Sequence, residues 1–316
     1  MMETKRDFLK KLSLLTVGGL MAGGVAPVVA SVKSSTAAAK KKSIGLQIYS
    51  LGKELTENVP AGMKKIADIG YTTLELAGYN NRKMGQYDME PYRKIVEEAG
   101  LKITSAHVNP PERKYTKDNT GKIADWWKQT VEDHVKLGVG RLIQPGMPSI
   151  ETQDDAKLVG EVFNSAGEIA KAAGLKWGYH NHNMEFKRIP KPGETPPSGP
   201  YASFMPFGDV IYDLMLANTD PNLVFFEMDV YWTVMGANDP LEYLDKYPSR
   251  IQVLHIKDRS VLGQSGMMNF ENIFKKAYEI GINEFYVELE KVKTNMTQFE
   301  GVKGCFDYLN NASFVK

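Results

Sequence analysis

The stretch RIQVLHIKD, residues 250–258, has the apolar, β-branched content of a buried strand, yet it sets a histidine and a lysine two residues apart. Successive side chains of a strand point to opposite faces, so Leu254 and Ile256 share one face while His255 and Lys257 share the other. Three further stretches repeat the arrangement. FFEMDVYW (225–232) pairs Glu227 with Asp229, GYHNHNMEF (178–186) pairs His180 with His182, and YVELE (286–290) pairs Glu288 with Glu290.

Working outward, helical patterns close on a glycine and an apolar strand follows at once. The joins are ADIGYTTLEL (67–76), EEAGLKITSAH (97–107), VKLGVGRLIQP (135–145), KAAGLKWGYHNH (171–182) and YEIGINEFYVELE (278–290). Glycine after the last helical turn ends a helix and returns the chain to a strand. The reading predicts eight strands, at 44–50, 72–76, 102–107, 141–144, 175–182, 223–229, 251–257 and 285–290, each alternating with a helical segment. Eight such units in about 270 residues match a single α/β domain, a (β/α)8 TIM barrel, in both count and size. A doubly wound sheet is the other arrangement of this rhythm, but no Gly-x-Gly-x-x-Gly turn follows the first strand.

The chain has 316 residues, 42% hydrophobic and 24% charged, which is ordinary for a globular protein. Residues 1–30 have a basic start (Lys5, Arg6, Lys10, Lys11), an apolar Leu/Gly/Ala/Val run, and small residues Val28 and Ala30 before Ser31. They read as an export signal peptide whose Lys-Arg-Asp-Phe-Leu-Lys order is similar to a twin-arginine signal, and they imply a periplasmic or exported protein. Residues 31–42, SVKSSTAAAKKK, read as a flexible linker, and 43–316 as the barrel. Without those four bases and the two acids Glu3 and Asp7 the body holds 35 basic and 36 acidic residues, so no general phosphate-binding field exists and nucleic acid is not a favoured partner. The mature form is expected to have no stable membrane span. Cys305 is the only cysteine and reads as a buried, inert thiol.

Strand parity places the polar pairs inside the barrel. Gln47 and Tyr49 belong to the first strand, Ser105 and His107 to the third, and all the polar sets lie near the C-terminal strand ends, where barrel enzymes build active sites. Four of the five histidines are there; His134, in TVEDHVKLG, reads as a surface residue. Clustered buried carboxylates repel one another unless protons or a cation compensate, and a divalent metal is the simplest compensation.

The motifs IGLQIYSL, GYTTLELAGY, HNHNMEF, FEMDVYW, RIQVLHIKD and VELE together resemble the xylose-isomerase-like barrel superfamily of sugar phosphate isomerases and epimerases, with ketose 3-epimerase, inosose dehydratase and 3-keto-glycoside lyase relatives. The resemblance implies a divalent ion held by Glu185, Asp229, His255 and Glu288, with His182 as the alternative to Glu185. It also implies an acid/base pair, Glu185 and Glu288, that moves a proton α to a sugar carbonyl. This donor set suits Mn²⁺, Co²⁺ or Mg²⁺, and Zn²⁺ is possible. Lys257 and His182 are candidates to polarise the carbonyl or assist a leaving oxygen. His107, His180, Tyr49 and Gln47 are expected to face a small carbohydrate, with Trp232 stacked on it.

The outcome is epimerisation, isomerisation or β-elimination from a 3-keto-glycoside, depending on where the proton returns and whether a leaving group is present. The Pro/Gly-rich stretch 187–207 is a candidate lid. Two other classes stay open, a non-catalytic periplasmic sugar-binding barrel and an apurinic endonuclease-like metal hydrolase. The second needs a histidine three positions after the strand-six aspartate, and that position is Trp232.

Overall fold

The computed structural model describes residues 42–316 apart from 203, 204 and 206. The proposed export segment and all but the last residue of the linker therefore lie outside the described residues. That last residue, Lys42, donates to the carbonyls of Leu309 and Ala312 and so belongs to the folded body.

Eight parallel strands close into a barrel: β1 (Gly45–Gln47), β2 (Thr73–Leu76), β3 (Lys102–His107), β4 (Arg141–Gln144), β5 (Lys176–His180), β6 (Val224–Asp229), β7 (Ile251–Ile256) and β8 (Phe285–Val287). Each strand pairs with its neighbours in the barrel order, and β1 pairs with β8, so the barrel itself leaves no edge open. The connections carry helices, the longest being Thr120–Leu137 and Gln153–Ala172. Gly138 ends the first of these at φ 78° and receives two helical carbonyls on its N–H, the left-handed cap expected at such a join. Among the described residues no helix is long and apolar enough to cross a membrane.

The barrel interior changes character along its axis. Near the N-terminal strand ends Ile143, Phe225, Val253 and Tyr286 form a small apolar cluster of their own. It fills the bore because β5 has Gly178 opposite it: a Cβ there would meet the Phe225 ring at 2.7 Å. One pitch higher on the same strand faces stand Glu227, His255 and Glu288. The register sets Gln47 beside Glu75, Glu75 beside Ser105, and Asp229 beside His255. The aliphatic residues between them, such as Leu254 and Ile256, face the helices in the main hydrophobic core.

Candidate active site

The polar layer is built on two buried carboxylates that share three imidazoles. Glu75 of β2 accepts Ser105 Oγ on Oε1 at 2.6 Å and Gln47 Nε2 on Oε2 at 2.8 Å. His255 Nε2 lies 2.6 Å from the same Oε2. Glu227 Oε2 takes His107 Nε2 at 2.7 Å and His180 Nδ1 at 3.2 Å, with His255 Nε2 also 3.2 Å away. The rings pack together: those of His107 and His255 stack with centroids 5.0 Å apart, and that of His180 meets His255 edge-on at 4.5 Å.

Burial and neighbouring charge split the two acids. Burial alone would raise the Glu75 carboxyl, but His107 and His255 bring it down to about 2, so it stays ionised. Glu227 is pushed up to about 7 by burial and by the Glu75 charge. Burial also works against a charge on His255, yet Glu227 and Glu75 raise it well above the ordinary histidine value.

Toward the mouth, His255 Nδ1 lies 2.8 Å from Glu288 Oε2. Lys257 Nζ sits 2.5 Å from Glu290 Oε1, 3.5 Å from Glu288 Oε1 and 3.9 Å from Asp229 Oδ2. It also lies 4.7 Å over the Trp232 ring, a cation–π contact. Burial would lower this lysine, but Asp229, Glu288 and Glu290 raise it, so it is a fixed cation. Lys257 and His255 in turn hold the Glu288 carboxyl well below its usual range against the effect of burial. Asp229 ends β6 and caps the helix that follows, its Oδ1 accepting the Trp232 N–H at 2.8 Å. Its Oδ2 is buried with no hydrogen-bond partner, as is Glu227 Oε1. Burial pushes Asp229 up to about 7, Lys257 opposing and Glu288 adding to the shift.

Two overlapping groups of potential metal ligands result. His180, Asp229, His255 and Glu288 bring ligand atoms within 4.8 Å of one another, and His107, His180, Glu227 and His255 do the same one layer deeper. A cavity of about 1060 Å³ opens beside them, lined by His107, His180, His182, Glu185, Glu288 and Glu290 and also by Tyr49, Tyr79, Asn109 and Arg113. A smaller cavity of about 410 Å³ shares Glu290 with it and is lined by Lys257, Trp232 and Tyr231.

The structure gathers Asp229, His255 and Glu288 as the sequence suggests, but not Glu185. That carboxylate lies on the cavity wall outside both ligand groups, held by Tyr179 Oη at 2.5 Å and the His182 N–H at 2.9 Å. His180 stands in its place, because β5 ends at His180 and the chain then turns through Asn183 into a short 3-10 helix that carries Glu185 away. His182 is likewise outside both groups; burial lowers its imidazole to about 4, leaving it neutral on the cavity wall. Gln47 does not face the cavity. It is fully buried, its amide spent on Glu75 and on the Tyr49 N–H.

Tyr49 does line the cavity, 64% exposed, from a 3-10 turn rather than from the strand. Trp232 and Lys257 wall the smaller cavity rather than the larger. Of the segment 187–207 only Lys187 lines the larger cavity among the described residues, and its base is closed by an antiparallel pairing of Arg188–Ile189 with Asp209–Val210. His134 is fully buried, not on the surface: its Nδ1 donates to the Thr130 carbonyl at 2.7 Å and its ring packs on Tyr79. Cys305 is buried as read, its thiol pushed up to about 12 by that burial.

Sequence reasoning missed Glu75, although TLEL carries the same alternation that exposed Glu288 in VELE. It also missed Asn109 and Arg113, which lie on the loop after β3 and had no periodic signal.

A family model described as the xylose isomerase-like TIM barrel matches residues 63–300. A solved sugar phosphate isomerase/epimerase from Parabacteroides distasonis is 51% identical, superposes with a TM-score of 0.84, and covers 89% of this chain and 100% of its own. An L-ribulose 3-epimerase shares the fold at a TM-score of 0.65, with 14% identity over 85% of this chain and 93% of its own. An inosose dehydratase from Clostridium perfringens is 30% identical over 106 residues, 34% of this chain, and the match spans only 29% of that protein's length. The chain belongs to the xylose isomerase-like TIM barrel family.

Proposed function

We propose that this protein is a divalent-metal-dependent enzyme that moves a proton α to the carbonyl of a keto-sugar, with epimerisation, isomerisation or β-elimination as the outcome. The observation that carries the reading is the group His180, Asp229, His255 and Glu288 at the C-terminal strand ends, with Asp229 Oδ2 buried and unpartnered among them. A cation fits there: it would give that oxygen a partner and replace the protons that otherwise hold Asp229 and Glu227 near neutrality. Two carboxylates and two imidazoles, with no sulfur, favour Mn²⁺, Co²⁺ or Mg²⁺ and permit Zn²⁺. Bound there, the ion would polarise a sugar carbonyl and acidify the neighbouring C–H.

The chain's own groups supply the rest. Glu288 is ionised beside Lys257 and His255 and lines the cavity, which suits a base. Glu185, on the same cavity, is raised by burial against the hydrogen bonds it accepts, which suits a proton donor. Two carboxyls whose environments push them apart form an acid/base assignment. Lys257 is fixed at the boundary of the two cavities and can donate to an oxygen of the substrate; His182, neutral on the wall, can accept or relay a proton.

A free or glycosidically linked keto-sugar suits the site better than a phosphorylated one. Barrels often bind phosphate at a helix N-terminus after the last strands. Here the helix Gln298–Asn311 that follows β8 carries a Thr297/Glu300 capping box, and its Gln298 and Phe299 N–H groups are already taken by the Glu54 carboxylate. An exported protein also meets few sugar phosphates, and residues 1–30 support export; cytoplasmic protein retaining Met1 would overturn that part of the reading. The direct test is deuterium uptake from D₂O by a panel of keto-sugars and keto-glycosides, with Mn²⁺ or Co²⁺ added to metal-depleted protein. Metal-dependent uptake supports the reading. Sugar binding with no metal uptake and no exchange would make it a binding barrel.

A further inference from the structure

We propose that Glu75, on β2, is the positioning residue of this centre: it fixes His255 with the proton on Nε2 and the Nδ1 lone pair on the side of Glu288. The inference rests on the metal reading above and adds a residue to it.

The argument is one of donors and acceptors. Gln47 Oε1 accepts the Tyr49 N–H at 2.9 Å, which sets the amide so that its Nε2 must donate to Glu75 Oε2, at 2.8 Å. Ser105 Oγ donates to Glu75 Oε1 at 2.6 Å. Glu75 is fully buried and surrounded by donors, so it can only accept. His255 Nε2, 2.6 Å from Glu75 Oε2, must therefore carry a proton. Glu227 Oε2 is the other acceptor near this nitrogen, but at 3.2 Å it is farther, and it is the nearer partner of His107 Nε2, 2.7 Å away against 3.0 Å to Glu75 Oε2. A ring held by Nε2–H has only Nδ1 to offer a cation, and Nδ1 is the edge that faces Glu288 at 2.8 Å. A carboxylate behind a ligating histidine fixes its tautomer and raises its basicity, and losing one costs about 10- to 100-fold in metal affinity.

The test is Glu75→Gln, read by Mn²⁺ titration of metal-depleted protein using the free-ion EPR signal, and by ¹⁵N-resolved NMR of His255 with Zn²⁺ as a diamagnetic probe. In the wild type, Nε2 should keep a slowly exchanging proton when Zn²⁺ is added while Nδ1 loses its own. The variant should bind Mn²⁺ about 10- to 100-fold more weakly and lose the protected Nε2–H. Ser105→Ala, which removes one donor but leaves the carboxylate, should bind within a few-fold of wild type. A variant that melts earlier yet binds Mn²⁺ with wild-type affinity has lost only structure, and the proposal falls. Should Glu75→Gln fail to fold, the wild-type spectrum still decides: Zn²⁺ on Nε2, or no protected Nε2–H, overturns it. Wild-type protein that takes up no Mn²⁺ would overturn the metal reading itself, whereas normal wild-type uptake with unchanged uptake by the variant overturns the role of Glu75 alone.

Discussion

The two ends of the barrel bore are made from the same strands and the same inward-facing positions, yet they are chemically opposite. At the N-terminal end Ile143, Phe225, Val253 and Tyr286 pack against one another with the strand backbone close behind. Two residues further along β6 and β7, and just past the end of β8, the inward positions are Glu227, His255 and Glu288. The first layer gains free energy from apolar burial and close packing. The second loses free energy by desolvating charge and recovers part of it by sharing protons, in keeping with the opposed directions in which Glu75 and Glu227 are shifted. The proposed function draws on the end where folding is expensive.

The comparison breaks first, and by the largest margin, at Glu288. Glu288→Gln removes the proposed base and one of the proposed metal ligands, so solvent proton exchange should fall by about 10²- to 10⁴-fold, or about 3–5 kcal/mol of barrier. The barrel should still fold, since the substitution is isosteric and Lys257 keeps Glu290 and Asp229 as partners; circular dichroism and the unfolding midpoint check this. Full exchange activity in the variant would remove Glu288 from the mechanism.

The converse change lies one layer down. Phe225→Ala opens a cavity against Gly178 in the apolar cluster and should cost about 3–5 kcal/mol in urea unfolding. Metal affinity, measured on the folded fraction, should change little. An apolar-layer variant that lost metal binding without losing stability would mean that the layers are not separable.

Much of this division could be read from the chain. VLHIK and YVELE give the inward parity of β7 and β8 directly, and the glycine joins set the strand count. The candidate ligand from β5 could not be read so well, because alternation says which face a residue is on but not where the strand ends. HNHNMEF offers His180, His182 and Glu185 within six residues. Only the end of β5 at His180 and the turn that follows show which of them enters the ligand group. Glu75 was legible by the same alternation but surrounded by fewer polar residues. Asn109 and Arg113 lie on a loop, whose path depends on tertiary contacts that local pattern does not encode.

His134 sharpens the contrast from outside the bore. It is a histidine buried without a carboxylate on its ring, its Nε2 lacking any partner, and burial lowers it to about 4. Its folded-state value lies below the ordinary 6.5, so the stability it permits is present above about 6.5 and is lost as pH falls toward 4. The loss amounts to about 3 kcal/mol by linkage. His134→Gln, which keeps a donor for the Thr130 carbonyl, should flatten the pH dependence of the unfolding free energy between pH 7 and 4. An unchanged slope would mean that other groups carry the acid sensitivity.

The smallest effect is expected at Glu290, two residues after Glu288 on the same inward parity but at the rim of the bore. Its carboxylate is partly exposed and meets only Lys257, whereas Glu288 faces both Lys257 and His255 in a buried setting. Removing its charge by Glu290→Gln leaves Lys257 with Glu288 at 3.5 Å and Asp229 at 3.9 Å, so the cation stays compensated. A partly exposed ion pair contributes about 1 kcal/mol or less, and proton exchange should therefore drop by less than about tenfold with metal affinity unchanged. The comparison with Glu288→Gln, made on the same substrate and metal, measures how steeply importance declines from the buried layer to the rim. A Glu290 that proves indispensable beside a tolerant Glu288 would move the working carboxylate two residues outward along the segment that follows β8. The ligand group would then have to be rebuilt around Lys257 and the smaller cavity.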